Sequence, residues 1–258
     1  VLKSTDMGAS WKKISPDLTR NDPTTLQSSG GPITKDNTGV EVYATVFTLA
    51  ESPVNRRTMW SGADDGLVHV TIDGGRRWSE ATPRGMPQWG LCSMIEASRF
   101  DEGTAYLAVD NHESDDFRPY IYITEDFGAT WRAATRGIPV SAFVRVVRED
   151  PQVRGLLYAG TESGVFVSFN SGADWSPLQF NLPIVPIHDL ALKEGDLIAA
   201  THGRSFWILD DLSPLRQTAG GKMNAGPVLF KPRDASRATF RGGFGGRRQQ
   251  AGEREPVG

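Results

Sequence analysis

Four stretches of this sequence share the form Ser/Thr-x-Asp/Asn-x-Gly-x-x-Trp, and their repetition decides the fold. They are Ser4-Thr-Asp-Met-Gly-Ala-Ser-Trp11, Thr71-Ile-Asp-Gly-Gly-Arg-Arg-Trp78, Thr124-Glu-Asp-Phe-Gly-Ala-Thr-Trp131 and Ser168-Phe-Asn-Ser-Gly-Ala-Asp-Trp175. Their starts lie 67, 53 and 44 residues apart, which is the length of a propeller blade with variable loops. The repeats therefore predict a radial array of similar β-sheet units.

Each repeat has a physical interpretation as the turn of a β-hairpin. An Asp or Asn side-chain oxygen can accept hydrogen bonds from backbone N–H groups just downstream. The glycine two residues later allows a positive φ, and the tryptophan buries a large ring at the start of the returning strand. We expect a structural role for these positions, which are Asp6, Gly8, Trp11, Asp73, Gly75, Trp78, Asp126, Gly128, Trp131, Asn170, Gly172 and Trp175.

The segments between the repeats are short, rich in β-branched and aromatic residues, and bounded by Gly, Asp or Pro, as strands are. Three such strands, the repeat turn and a returning strand make a four-stranded antiparallel blade. We therefore predict an all-β fold, a partial β-propeller of about four to five blades. The propeller is expected over residues 1–219, with an incomplete first blade and a last unit that lacks the repeat.

Residues 220–258 are expected to form a terminal strand at Pro227–Phe230, followed by a flexible Gly/Arg-rich linker. The formal charge of −3 divides into about −9 for residues 1–215 and +6 for residues 216–258. An acidic body argues against nucleic acid as a partner. The single cysteine, Cys92, excludes an internal disulfide, and the sequence holds no run of 18 apolar residues that would span a membrane.

The repeats resemble the Asp-box, or bacterial neuraminidase repeat. Further stretches, among them Ser15–Arg20 and Ala200–Asp211, resemble large bacterial proteins with a sortilin-N-terminal-like propeller, often labelled glycosyl hydrolases. This resemblance implies an extracellular or periplasmic protein whose repeats lie away from the functional face. It also implies that the chain is the C-terminal part of a larger propeller, with N-terminal blades of the same protein as neighbours.

Strand order separates the loops of each blade onto two faces. The repeat turns join the third and fourth strands, so the second-to-third loops and the connections between blades lie on the opposite face. Nine residues there are candidates for ligand binding, namely Tyr43, Trp89, His112, Asp116, Arg118, Glu162, His188, His202 and Arg204. Four carboxylates are candidates for catalysis, namely Glu41, Asp64, Asp65 and Asp189.

Two functions fit these residues. The first is a binding module for a protein, peptide or carbohydrate ligand on the face opposite the repeats. The alternative is a xyloglucanase-like glycoside hydrolase, which needs two carboxylates about 5–5.5 Å apart for retention or about 6.5–9.5 Å apart for inversion. A free acidic pair beside exposed aromatic rings would favour the enzyme, whereas carboxylates already held by the protein would favour binding.

Three local features leave alternatives open. The oxygen-rich run 110–116 could hold Ca²⁺ or be a solvated loop, and otherwise we expect no cofactor or metal, because the four histidines lack zinc-site spacing. Arg204 could bind a ligand or pair with Asp210 or Asp211. The 28-residue connection 15–42 could cover the ligand face or contact a partner.

Overall fold

The complete repeat units fold as four-stranded antiparallel sheets in a computed structural model that describes residues 1–27, 30, 43–219 and 227–234. Blade I contains β3 (Val46–Glu51), β4 (Met59–Ala63), β5 (Val68–Thr71) and β6 (Ser79–Glu80). Blade II contains β7 (Leu91–Ala97), β8 (Ala105–Asp110), β9 (Tyr120–Thr124) and β10 (Arg132–Ala133). Blade III contains β11 (Val144–Glu149), β12 (Leu157–Thr161), β13 (Gly164–Ser168) and β14 (Ser176–Pro177).

Units with fewer than four described strands stand at both ends of this array. The first repeat forms a two-stranded hairpin of β1 (Leu2–Lys3) and β2 (Lys12–Lys13). Blade IV has three strands, β15 (Ile187–Lys193), β16 (Asp196–Thr201) and β17 (Phe206–Leu209). The predicted fold class, a partial all-β propeller, is confirmed.

The hydrophobic core lies between successive blades. The second and third strands are apolar on both faces, and β12 and β13 of blade III are buried along their whole length. Trp60 of blade I is fully buried and meets Trp131 of blade II edge to face at 6.0 Å between ring centroids. Each sheet is thus held by its neighbours, because a lone blade would leave both apolar faces in water.

The four repeats form the same hydrogen-bonded turn. In the third, the Gly128 N–H donates to Thr124 Oγ1 at 2.9 Å and the Thr130 N–H to Asp126 Oδ1 at 2.8 Å. The corresponding contacts occur in the other three turns. In the first turn, hydrogen bonds led by those from Ser10 lower the pKa of Asp6 to about 2.

The tryptophan of each later repeat ties its blade to the preceding unit. The indole N–H groups donate to backbone carbonyls at 2.7–2.9 Å, in the pairs Trp78–Ile14, Trp131–Ala81 and Trp175–Ala134. Every acceptor lies three residues after the tryptophan of the preceding repeat. Trp11, in the first hairpin, is 62% exposed.

Gly128 illustrates why the repeat needs glycine. Its φ of +81° is one that side chains disfavour, and an added Cβ would lie 2.5 Å from the Ala81 Cβ of the preceding blade. The residue therefore serves both the turn and the close contact between blades.

The C-terminal segment differs from the prediction. Residues 227–230 form no strand; instead Lys231 exchanges two hydrogen bonds with the Gln217 side chain, at 2.8 and 3.0 Å. Gln217 belongs to a helix that was not predicted, α1 (Ser213–Ala219), which is anchored by Arg216 on the buried Asp150. The predicted linker at 220–226 and 235–258 lies outside the described residues.

In the described part of the chain, no helix has the length and apolar character needed to cross a membrane.

Candidate ligand-binding site

The first strand of each blade, here called the inner strand, has a β-bulge near its start. The bulge aims one side chain away from the regular ladder. The register shifts at Phe47 in β3, Ser93 in β7, Arg145 in β11 and His188 in β15. Bulges commonly re-aim side chains at functional sites. In blades III and IV, the bulged residues are Arg145 and His188, and both join one polar cluster.

This cluster, here called the histidine cluster, draws residues from three blades. Its members are Asp110, His112, Phe143, Arg145, Glu162, His188 and His202. The second-to-third loops supply His112, Glu162 and His202, which are three of the predicted ligand-binding residues. The strands and a connection between blades supply the rest, so the predicted loop face is where these residues meet.

Arg145 lies at the centre of the histidine cluster. Its guanidinium forms an ion pair with Glu162, and its Nε lies 3.8 Å from Asp110 Oδ2. The same group stacks over the Phe143 ring, 4.5 Å from the centroid. The Arg145 side chain is only 17% exposed, so it is fixed by two carboxylates and one ring rather than free in solvent.

His112 is fixed by a carboxylate and by the same aromatic ring. Its Nδ1 lies 2.6 Å from Asp110 Oδ1, and its ring stacks on Phe143 at 4.6 Å with an interplanar angle of 12°. The side chain remains 36% exposed. The imidazole therefore presents its second nitrogen in a defined orientation.

His188 and His202 form a pair across blade IV. His202 Nδ1 lies 3.2 Å from His188 Nε2, so one ring donates and the other accepts. Burial lowers the pKa of His188, and the positive charge of Arg145 and the neighbouring His202 lower it further. The neutral form of His188 is therefore favoured.

A second group, here called the aromatic cluster, lies by blade I. It consists of Arg20, Tyr43, Asp64, Asp65 and Trp89, of which four were predicted as site residues. The Tyr43 and Trp89 rings meet edge to face at 5.9 Å, and the Arg20 guanidinium lies 5.0 Å from the Trp89 ring. Burial raises the pKa of Tyr43, with a further contribution from the Glu113 carboxylate beside the histidine cluster.

The two acidic residues of the aromatic cluster are engaged by the backbone. Asp65 is 1% exposed and accepts from the Arg20 N–H at 2.6 Å. Asp64 accepts from the Ala44 and Thr45 N–H groups at 3.1 and 2.8 Å. Burial raises the pKa of Asp64, but these contacts make it a loop anchor.

The loop between β8 and β9 of blade II carries two more of the predicted ligand-binding residues, Asp116 and Arg118. Arg118 binds Asp116 through two nitrogens, each at 2.8 Å, and the Tyr120 hydroxyl donates to Asp116 at 2.6 Å. These hydrogen bonds lower the pKa of Asp116, and the largest effect comes from Arg118. Burial, followed by the hydrogen bond to Asp116 and the charge of that carboxylate, raises the pKa of Tyr120 to about 12.

Three further predicted residues lie apart from these groups. Asp189 is inside β15 and pairs with Arg148, whose other nitrogen binds Glu96 at 2.8 Å. Arg204 is exposed and forms no ion pair with Asp210 or Asp211 within the described ranges. Glu41 lies outside the described residues, as does half of the 15–42 connection.

The partners of the candidate carboxylates bear on whether these groups could hydrolyse a glycoside. Each described candidate carboxylate accepts a hydrogen bond or forms an ion pair within the protein. These residues are Asp64, Asp65, Asp116, Glu162 and Asp189. Hydrolysis of a glycoside needs two carboxyl groups about 5–5.5 or about 6.5–9.5 Å apart, one of them acting as a general acid. Over residues 1–27, 30, 43–219 and 227–234, no group of three His, Cys, Asp or Glu side chains is arranged to hold a metal ion.

Sequence reasoning missed Asp110, Phe143 and Arg145. Arg145 lies within an alternating strand pattern, where a charged residue is ordinarily solvent-facing. Asp110 was considered only as part of a calcium-binding run. A polar residue at the second position of the first strand of a blade, where the bulge lies, is the feature that could have identified Arg145.

Comparison with known proteins supports the fold. No protein-family model and no curated protein sequence matches the chain. Similar solved structures include an ancestral GH74 enzyme (TM-score 0.54, 19% identity), a GH74 enzyme of Niastella koreensis (0.55, 14%) and a GH74 xyloglucanase from Xanthomonas campestris (0.54, 13%). Each covers 78% of this chain, which spans only 24%, 30% and 32% of those chains. At these identities the likeness shows the β-propeller fold alone.

Proposed function

We propose that this chain is the ligand-binding part of a β-propeller and that its ligand contacts the loop face at the histidine cluster. The observation that carries the proposal is the convergence of loops and bulged strands from blades II, III and IV on Arg145. Its hydrogen-bonding groups are oriented before any ligand arrives, which reduces the ordering cost of binding.

The charge of this face favours a polypeptide ligand with basic side chains. Seven carboxylates lie on the second-to-third loops of blades I, II and III or at the strand ends beside them, namely Asp64, Asp65, Asp110, Glu113, Asp115, Asp116 and Glu162. Four arginines lie on the second-to-third loops or contact these carboxylates, namely Arg20, Arg118, Arg145 and Arg204. Glu113 and Asp115 are exposed and form no ion pair with any described residue. A lysine or arginine of the ligand would complement these two charges.

The aromatic cluster would extend the binding surface. Trp89 and Tyr43 are partly exposed rings, and the charge of Glu113 acts on Tyr43. Rings of this kind bind cationic side chains. The proposal thus combines an acidic edge, an aromatic contact and oriented imidazoles on one face.

The test is a binding screen of the full chain against short peptides in which a central Lys or Arg is replaced in turn by Gln. Basic peptides are expected to bind, with affinity that falls as salt is raised. Glu113→Gln should weaken binding, whereas Glu125→Gln, the same change at an exposed position in a repeat turn, should leave it unchanged. Equal binding of the basic and neutral peptides would contradict the proposal.

A glycoside hydrolase is the second candidate, because solved structures with this fold include GH74 enzymes. The engaged state of the described carboxylates favours binding over hydrolysis. Release of reducing sugar from xyloglucan, lost in Glu162→Gln, would favour the hydrolase. A carbohydrate that binds without being cleaved would make the ligand a glycan rather than a peptide.

The location of the protein and its larger assembly belong to the same proposal. We place it outside the cytoplasm, as part of a propeller with further blades, on the basis of the repeat resemblance.

A further inference from the structure

The repeats provide an internal comparison that separates the residues the fold needs from those it does not need. At each junction between units, the two residues after a repeat tryptophan form the outer strand of one unit. The two residues before the next repeat tryptophan belong to the turn of the following unit. A residue type that the fold requires at these positions should recur from junction to junction.

The first junction differs from the others in charge. Its four positions are all cations, namely Lys12, Lys13, Arg76 and Arg77. The same positions hold one carboxylate at the second junction, which has Ser79, Glu80, Ala129 and Thr130. They hold one residue of each charge at the third, which has Arg132, Ala133, Ala173 and Asp174. The fold therefore does not require cations at these positions.

The exposure of the cations follows from their place in the unit. The outer strands β2, β6, β10 and β14 are all exposed, although blade II lies between two complete blades. Arg76 and Arg77 are exposed at the turn. Lys12 and Lys13 are thus accessible because they lie on an outer strand.

Backbone contacts hold the two cationic segments beside each other. The Trp78 indole of blade I donates to the Ile14 carbonyl, next to β2, at 2.9 Å. An added Cβ at Gly75 would lie 2.7 Å from the same carbonyl oxygen. The turn of blade I therefore packs directly against the end of β2.

An open groove lies between these segments. It has a volume of about 490 Å³, and its lining includes Lys12, Lys13 and Arg76. Gly74 also lines the groove, and a Cβ added there would meet nothing within 4 Å. The groove therefore has room for a bulky group such as a sugar ring.

The four cations have no ion-pair partner among the described residues. The charge of Lys13 acts on Asp17 and that of Arg76 acts on Asp73. Both carboxylates are held by other groups, because Thr19 donates to Asp17 and backbone N–H groups of the turn donate to Asp73. Unpaired cations from two segments at one groove complement a ligand with several anionic groups.

The turn offers charge to a ligand rather than backbone hydrogen bonds. The Gly74 N–H donates to the Arg57 carbonyl, and the Gly75 N–H donates to Thr71 Oγ1. A peptide that binds through its backbone would find neither group free. A polymer with anionic groups along its length needs only the cations.

We propose that the junction between the first hairpin and blade I binds an acidic polysaccharide. Its sulfate or carboxylate groups would pair with the ammonium and guanidinium groups of Lys12, Lys13, Arg76 and Arg77. Its sugar rings would lie in the open groove beside Gly74. This site lies at the repeat turns and is independent of the loop face.

The test uses the full chain with dextran sulfate and with neutral dextran of the same length, and binding is measured by calorimetry. Dextran sulfate is expected to bind, with an affinity that falls as salt is raised, whereas dextran should not bind. The two polymers share one sugar backbone, so the comparison isolates the effect of charge.

Two double variants with the same loss of charge locate the site. Lys12→Gln/Arg76→Gln is expected to weaken the binding of dextran sulfate about threefold to tenfold, the range for two exposed ion pairs. Arg84→Gln/Lys193→Gln removes one arginine and one lysine that are exposed elsewhere and should leave the affinity unchanged. Both variants keep the arginines of residues 235–258, so nonspecific binding there cannot produce the difference.

No binding of dextran sulfate by the folded chain, or equal losses of affinity in the two variants, would overturn the proposal. Tighter binding of poly-L-glutamate, or of vesicles that contain phosphatidylglycerol, would also overturn it. The ligand would then be an acidic polypeptide or a lipid surface.

Discussion

The indole nitrogen of Trp175 in blade III donates a 2.7 Å hydrogen bond to the carbonyl oxygen of Ala134 in blade II. This bond joins two sheets that share no strand pairing. It recurs between the earlier units, so the repeat is both a hairpin turn and a connection between blades.

Trp175→Phe is expected to lower the free energy of unfolding by about 2 kcal/mol. The change leaves the buried Ala134 carbonyl unpaired and a small cavity beside it. Urea denaturation measures the effect. Trp11→Phe is the matched control, since Trp11 is 62% exposed; a loss as large there would contradict the role assigned to the connection between blades.

Gly128→Ala should destabilise the chain more than Gly74→Ala. Both glycines have a φ of +81°, so both variants carry the same backbone cost of about 1 kcal/mol. Only at Gly128 does the new Cβ meet the preceding blade, 2.5 Å from Ala81, whereas nothing lies within 4 Å at Gly74. The collision is expected to add about 1–3 kcal/mol in thermal or urea unfolding, and equal losses would refute the close-packing argument.

Arg216→Ala should release α1 from the propeller. Asp150 is fully buried, and Arg216 binds both of its oxygens at 2.9 and 3.1 Å. Removal of one partner from a buried pair costs about 3 kcal/mol. Limited proteolysis should then cut within 213–219. Arg233→Ala is the control, because Arg233 pairs with Asp196 and its side chain is 51% exposed. This change should lower the free energy of unfolding by less than about 1 kcal/mol.

His188 is expected to make the chain less stable as pH falls below about 6.5. Its folded-state pKa lies below the ordinary value of 6.5, so the unfolded chain binds the proton more readily. Stability is therefore full above pH 6.5 and decreases as pH falls toward the folded-state pKa.

The comparison that isolates this effect is urea unfolding of the parent chain and His188→Gln from about pH 7.5 to about 5.5, above the usual carboxyl range. His69, whose pKa is also lowered by burial, contributes equally to both proteins. A difference between them that does not change with pH would show that His188 titrates normally.

Much of the fold could be predicted from the sequence because the repeat is local. Thr124, Asp126 and Gly128 form their hydrogen bonds within one turn, so the spacing of the repeat predicts a hairpin. Prediction was poorer at the C-terminus. Residues 227–230 form no strand, and the backbone of the next residue, Lys231, pairs with the side chain of Gln217 in a short helix.

The candidate site was only partly predictable. His112, Glu162 and His202 were found because loop position follows from strand order. Arg145 was missed because its role depends on a bulge and on carboxylates 17 and 35 residues away in the chain.

The sequence by itself determined the repeated structural unit, the β-sheet blade with its hairpin turn. Turn geometry and strand periodicity depend on residues that are neighbours along the chain. The tertiary structure alone decided which units meet and what they form. Inter-blade packing places Arg145 between Asp110 and Glu162, and it leaves β17 without an outer strand among the described residues. The physical reason is that burial and charge pairing act through space, between residues that no local pattern connects.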